Sequence, residues 1–391
     1  MQVVNKKMCV IVILVLVIIE SCTLFLMYKS FSNKNTNLDE VNLNINNSNM
    51  FAIMLEQEDG TYKEDSTNTW PTSGYTYNES MSGCIDINGN RIEDALTYDK
   101  ENNKASVNTT NTSYCYLYFK IYLPTIYETI LQTSGSGLSD KLIAGMYRYQ
   151  GTTANNYICF GTSDKNTCVN ETNKYMYRII GITEDEKIKL LKDSTLNTLY
   201  YWHNDNTDEV IWPNSDLYKG LNGIDGASYS NMFINNSNFT YLNTSNMWYK
   251  KILFFDWKYG SFFLDNKNGI EIFELEENLI DSVNSKIGLM YASDYYLAYD
   301  NSIIYYNSGE SEHNPGSWLS AFNSTERLLS YYGYSARNGG FNSYSVICDN
   351  SCSMGIYGIN EEHSIRPTFF IRADELSKGG TGTSADPYII K

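Results

Sequence analysis

The sequence predicts a chain in three parts: an N-terminal transmembrane helix, a small all-β sandwich and a loop-rich C-terminal α+β domain. Three observations predict it. An apolar run occupies residues 8–28. Short strand-like runs broken by turn signals fill residues 50–123. Beyond residue 141, strand patterns, helical spacing and long polar loops alternate. The expected divisions are a cytoplasmic tail (1–7), a signal-anchor (8–28), a stalk (29–49), the sandwich (50–123), a linker (124–140) and the α+β module (141–391).

Between Met8 and Met27 the only polar residues are Glu20, Ser21 and Thr23. About twenty residues at 1.5 Å each cross a hydrocarbon core of roughly 30 Å. Lys6 and Lys7 precede the run, which by the positive-inside rule keeps the N-terminus in the cytoplasm and exports the rest. Glu20 costs about 2.5–3.5 kcal/mol inside a bilayer. Two rival readings fit less well. A cleaved signal peptide lacks its small-residue site, and the lipobox-like Ile19-Glu20-Ser21-Cys22 has the wrong residue in Glu20. Residues 30–49, rich in Asn and Ser, read as a spacer.

A net charge of −16 argues against nucleic acid and anionic membrane surfaces as partners. Outside the anchor, six cysteines fall as Cys84 with Cys115, Cys159 with Cys168, and Cys348 with Cys352. Neighbour pairing is the economical reading, although sequence leaves the connectivity open. No C-x-x-C pair exists, and His203, His313 and His363 lie in unrelated segments, so no metal site is expected.

In the sandwich, Cys115 to Tyr122 is β-branched and aromatic, and Cys84 would be tied to this last strand. Asp86, Asn88 and Asn90 have calcium-loop spacing, but Arg91 and Thr97 stand where such a loop needs Gly and Glu, which favours a hairpin turn. In the α+β module, Tyr175–Ile182 and Lys187–Leu191 read as a hairpin closed by Glu184, Asp185 and Glu186. Asn246 to Trp257 has helical spacing, Ile287 to Tyr291 reads as a buried strand, and Pro367 opens a terminal strand.

Signatures of hydrolases, zinc proteases and nucleotide-binding loops are missing. No catalytic residue is expected, and each His is read as a surface residue. Five of six Trp fall in the second module, where most would form core. Trp202, Trp212 and Trp318 are the candidates for an exposed binding platform. Arg366, before Pro367, is either a buried anchor for its strand or an anion contact. Arg148 and Arg178 sit in similarly apolar surroundings.

Phe51 to Gly60, Trp70-Pro71, Cys84 and Cys115 to Phe119 resemble an N-terminal module of uncharacterised surface proteins from low-GC Firmicutes and Mollicutes-related gut bacteria. Tyr147 to Gly151, Asn155 to Gly161, Tyr177 to Gly181, Ile287 to Tyr295, Ile365 to Ile371 and Gly380 to Ile389 resemble their second module. That module is similar to a bacterial domain with C-type-lectin-like and sulfatase-modifying-factor-like character. The resemblance implies a single-pass protein of the bacterial cell membrane with its ectodomain outside. The leading reading of function is a non-catalytic surface protein that binds a glycan or a protein partner, with an envelope enzyme or a structural spacer as alternatives. Calcium is the one cofactor a lectin-like fold would admit, and no ligand set is identifiable for it.

Overall fold

The aromatic run at Cys115 becomes the central strand of the first of two units, residues 1–122 and 123–391, in the computed structural model. The structure describes residues 49–67, 70–71, 74–99, 104–107, 113–133, 137–196, 198–205, 208–224, 241–243, 245–264, 267–299, 317–320, 325–336, 339–349 and 351–391. The expected transmembrane segment, residues 8–28, lies outside them. Among the described residues no helix is long and apolar enough to cross a membrane. The predicted fold class is corrected here: the described chain is mostly β structure in several sheets, with few and short helices and no closed barrel.

In the first unit, β1 (Asn49–Glu56) lies parallel to β8 (Ser113–Ile121), and β2 (Tyr62–Glu64) pairs with the outer edge of β1. The other edge of β8 takes β3 (Tyr75–Tyr77) along one half and β4 (Gly83–Ile85) along the other, with β5 (Arg91–Ile92) beyond β4. A separate ribbon of β6 (Leu96–Asp99) and β7 (Lys104–Val107) supplies Leu96 and Ala105 to a core with Ile53, Leu117 and Phe119. The expected sandwich is thus one six-stranded sheet carrying a two-stranded ribbon. Cys84 lies opposite Cys115 in register and is bonded to it. Asp86 Oδ1 accepts from the Asn88 and Asn90 amides, and Gly89 has φ 84°, so this segment is the β4–β5 turn.

The second unit begins earlier than expected. Thr125 and Glu128 form a reciprocal cap on helix α1 (Ile126–Gln132), whose Ile126 and Ile130 enter the main core, so residues 124–140 are not a free linker. The sheet that organises this unit runs β18 (Thr368–Arg372), β12 (Lys187–Lys192), β11 (Met176–Thr183), β10 (Tyr157–Cys159), β19 (Tyr388–Ile389), and β9 (Met146–Arg148) also pairs with β11. Every residue of β11 except Thr183 is buried, as befits a strand covered on both faces. The β11–β12 hairpin forms with its turn at Glu184–Glu186. Gly181 is required there, because a Cβ would stand 2.7 Å from the Tyr147 carbonyl oxygen on β9.

Short helices α2 (Lys165–Asn170) and α3 (Thr172–Tyr175) fill the β10–β11 connection, where Cys159 and Cys168 are bonded. Helix α4 (Asp216–Leu221) follows, then α5 (Met247–Lys251), which Asn246 caps and which ends before β13 (Phe255–Lys258). The helical spacing of 246–257 is overridden because Leu253 N donates to Phe370 O, drawing the chain along β18. After α6 (Gly269–Glu277), β14 (Ser282–Ser285) pairs with β13. Residues 287–291 make one bridge, Gly288 to Thr368, before helix α7 (Ala292–Leu297) begins, so the expected strand is cut short. A meander of β15 (Thr325–Ser335), β16 (Gly340–Asp349) and β17 (Ser351–Gly358) completes the unit. Cys348 and Cys352 are register partners across the β16–β17 turn, and their side chains lie outside the described residues. Pro367 does precede a strand, β18, but the last strand is β19.

The Cys84–Cys115 bridge closes 31 residues of sequence. Replacing both cysteines with Ser is expected to lower the stability of the first unit by about 3–4 kcal/mol, read from urea unfolding of oxidised wild type against the variant.

Candidate functional site

None of the three candidate tryptophans faces solvent. Trp202, Trp212 and Trp318 are 0%, 1% and 3% exposed. Trp202 Nε1 donates to Val210 O, and its ring stacks on Tyr331 at 5.6 Å; Trp318 Nε1 donates to Tyr149 O. The platform reading is therefore corrected: these indoles are core, where their large apolar area is removed from water. Arg366 is buried as well. Its Nε and Nη2 reach the two carboxylate oxygens of Glu326 at 3.0 and 2.7 Å, which ties the start of β18 to β15. The anchoring reading holds and the anion-contact reading does not. Arg178 is likewise internal, lying over the Tyr157 ring at 3.8 Å and bonded to Asn156.

The surface reading of the histidines is also revised. His313 lies outside the described residues. His203 is partly exposed, with Nδ1 2.7 Å from Asp216 Oδ2. His363 is buried, and burial, aided by the neighbouring Arg327 cation, depresses it from 6.5 to about 3. Among the described residues no group of three or more metal-ligating side chains occurs.

What the structure does bring together is a groove of about 990 Å³ in the second unit. One wall is the loop 137–144. A second is the start of α6 at Asn268, Gly269 and Ile270. The third is the end of α7 with Tyr296, Leu297 and Tyr299. Gly269 allows α6 to meet α7 so closely: a Cβ there would lie 2.9 Å from Leu297 Cδ2 and 3.0 Å from Tyr296 Cβ. At the groove's base Gln150 Nε2 donates to the Leu297 and Tyr299 carbonyls, closing the otherwise open C-terminal end of α7. Leu142 and Ile270 stand at the rim, 39% and 44% exposed.

The same elements carry a cluster of buried charges, Glu276 and Asp294 from the two helices and Arg148 and Lys189 from the sheet. Arg148, at the end of β9, donates from Nε to Ile143 O and from Nη2 to Ala144 O, so it holds the loop. Its Nη1 reaches Asp294 Oδ1 of α7 at 2.9 Å. Asp294 Oδ2 takes Lys189 Nζ of β12 at 2.5 Å and the Tyr291 amide at 3.1 Å. Glu276 of α6 accepts from the Ser330 hydroxyl at 2.9 Å and the Ser293 amide at 3.3 Å. Burial pushes its carboxyl from 4.5 up to about 7. Burial would also raise Asp294, but Lys189 and Arg148 outweigh it and hold that carboxyl below its ordinary value. Of these four, Arg148 stands out in the sequence, whereas Lys189, Glu276 and Asp294 do not. The available signal was a charge inside an otherwise apolar run, as in Ile188-Lys189-Leu190-Leu191.

No protein-family model, curated protein or solved structure matches this chain. The groove must therefore be read from its own chemistry, which offers aliphatic and tyrosine surface with amide and carbonyl groups and, on the loop wall, Ser139 and the charged Asp140 and Lys141. Acidification provides a check on the core of the second unit. His363 is neutral when folded and takes up a proton below pH 6.5 when unfolded, so protonation favours the unfolded chain. Stability is full above pH 6.5 and falls toward pH 3 by about 1.4 kcal/mol per unit from this group. Substituting His363→Gln is expected to flatten that part of the urea-denaturation profile.

Proposed function

We propose that the chain is an exported bacterial surface protein whose second unit binds an extended ligand, a glycan or a segment of a protein partner, in the groove. The observation that carries this reading is the groove itself, whose three walls come from distant parts of the sequence and are fixed in place by the buried charge cluster. A preformed concavity spends little of its binding energy on ordering itself. Disulfides joining Cys84 to Cys115 and Cys159 to Cys168 fit an extracellular protein. The net charge of −16 favours neutral or basic ligands over polyanions. The lining joins apolar and aromatic surface to hydrogen-bonding groups, the combination that suits sugar rings and peptide backbone alike.

The test is a glycan array and a peptide library probed with the purified chain and two rim variants, Leu142→Asp and Ile270→Asp. Both positions are exposed, so stability should stay within about 0.5 kcal/mol of wild type. Binding is expected to weaken by about tenfold or more in each, a loss of about 1.4 kcal/mol. Ile280→Asp, at a site 95% exposed and away from the groove lining, should bind as wild type does. Full binding by both rim variants would place the ligand elsewhere.

A further inference from the structure

Lys189 and Asp294 form a buried ion pair at very short range. Their side chains are 2% and 1% exposed, and Nζ stands 2.5 Å from Oδ2. Around the ammonium lie the rings of Tyr291, Phe370 and Trp257, with centroids at 5.0, 5.6 and 5.9 Å. Such surroundings contain little that can solvate a charge, so both partners bear a heavy desolvation cost. The other oxygen of the same carboxyl, Oδ1, is held by Arg148 at 2.9 Å. A second carboxyl, Glu276, belongs to the same cluster and interacts electrostatically with both partners.

We propose that Lys189 and Asp294 join through an intramolecular amide bond, a covalent cross-link between β12 and α7. The step balances without any co-reactant. The Lys189 ammonium passes a proton to Oδ2, and the free amine attacks Cγ. The N–C bond forms while charge collects on Oδ1, where the Arg148 guanidinium stabilises it. Oδ2 then departs as water, carrying the transferred proton and one more from the attacking nitrogen. The amide retains the third proton. One buried cation and one buried anion vanish together.

The environment favours the attacking amine and the later proton transfers, while the two cations that hold Asp294 below its ordinary value oppose the first one. Burial pulls the Lys189 ammonium below its ordinary value, toward the nucleophilic amine. Glu276 accepts from the amide of Ser293, the neighbour of Asp294 in sequence, and with its carboxyl raised to about 7 it can accept and return a proton at neutral pH while the tetrahedral centre breaks down. Fixed proximity supplies the rest, since a reactant held in position replaces an encounter in solution. The link spans 105 residues of sequence and would close the portion of the unit containing α6, one wall of the groove. This inference stands apart from any ligand the groove takes.

Intact-mass spectrometry of the purified chain, with its disulfides reduced, decides the matter. The expected mass is one water molecule below that of the reduced sequence, and digestion should yield one branched peptide joining Lys189 to Asp294. A mass equal to the sequence, or a lost water mapped to another site, would overturn the proposal. Lys189→Arg keeps the charge but cannot form the bond under the same conditions. It should show the full mass, and persistence of the water loss in it would also overturn the assignment. Glu276→Gln tests the proton relay: incomplete linkage that varies with refolding pH differently from wild type is expected. Complete linkage in it at every pH would remove Glu276 from the chemistry.

Discussion

The contact between Asp294 and its two cations governs the second unit. Burying a carboxylate, a guanidinium and an ammonium costs several kcal/mol for each ion, and close opposite charge recovers that cost only with good geometry. In the unlinked chain each carboxylate oxygen has a cationic partner, and the Tyr291 amide adds a third donor. Losing one partner of such a set typically costs 3–5 kcal/mol, because the remaining charge is stranded. The chain therefore has a strong incentive to keep β9, β12 and α7 in one arrangement.

The groove follows from that arrangement. Arg148 reaches past Asp294 to the carbonyls of Ile143 and Ala144, so the loop is positioned by the same guanidinium that meets α7. Glu276 ties α6 to α7 through Ser293 and to β15 through Ser330. Gly269 removes the side chain that would otherwise force the two helices apart. Three segments remote in sequence thus become walls of one concavity. The polar network that joins them gives the site its shape, while the apolar and amide groups of the lining give it a surface to present.

How much of this the sequence discloses depends on whether the cause is local. The β11–β12 hairpin is legible because two apolar runs flank a short acidic turn. The Cys84–Cys115 bridge is legible because both residues sit in strand-like segments at a plausible separation. By contrast, Asn246 to Trp257 has a helical period and yet splits into a helical turn and a strand, since pairing with β18 outweighs the local preference. Indoles look alike in sequence whether they lie on a surface or in a core. Only the packing of Trp202 on Tyr331 and the Trp318 bond to Tyr149 O distinguish the cases. The site was the least legible part. Arg148, Lys189, Glu276 and Asp294 come from four elements, and no spacing rule connects them.

The central claim is that the charge cluster makes the groove walls a single mechanical unit. Native-state hydrogen exchange over residues 137–150, 268–277 and 292–299 addresses it most directly. One shared opening free energy is expected for the slowest amides of all three segments, lowered together in Arg148→Leu. Three unrelated opening free energies, or a loss confined to the loop beside Arg148, would contradict it.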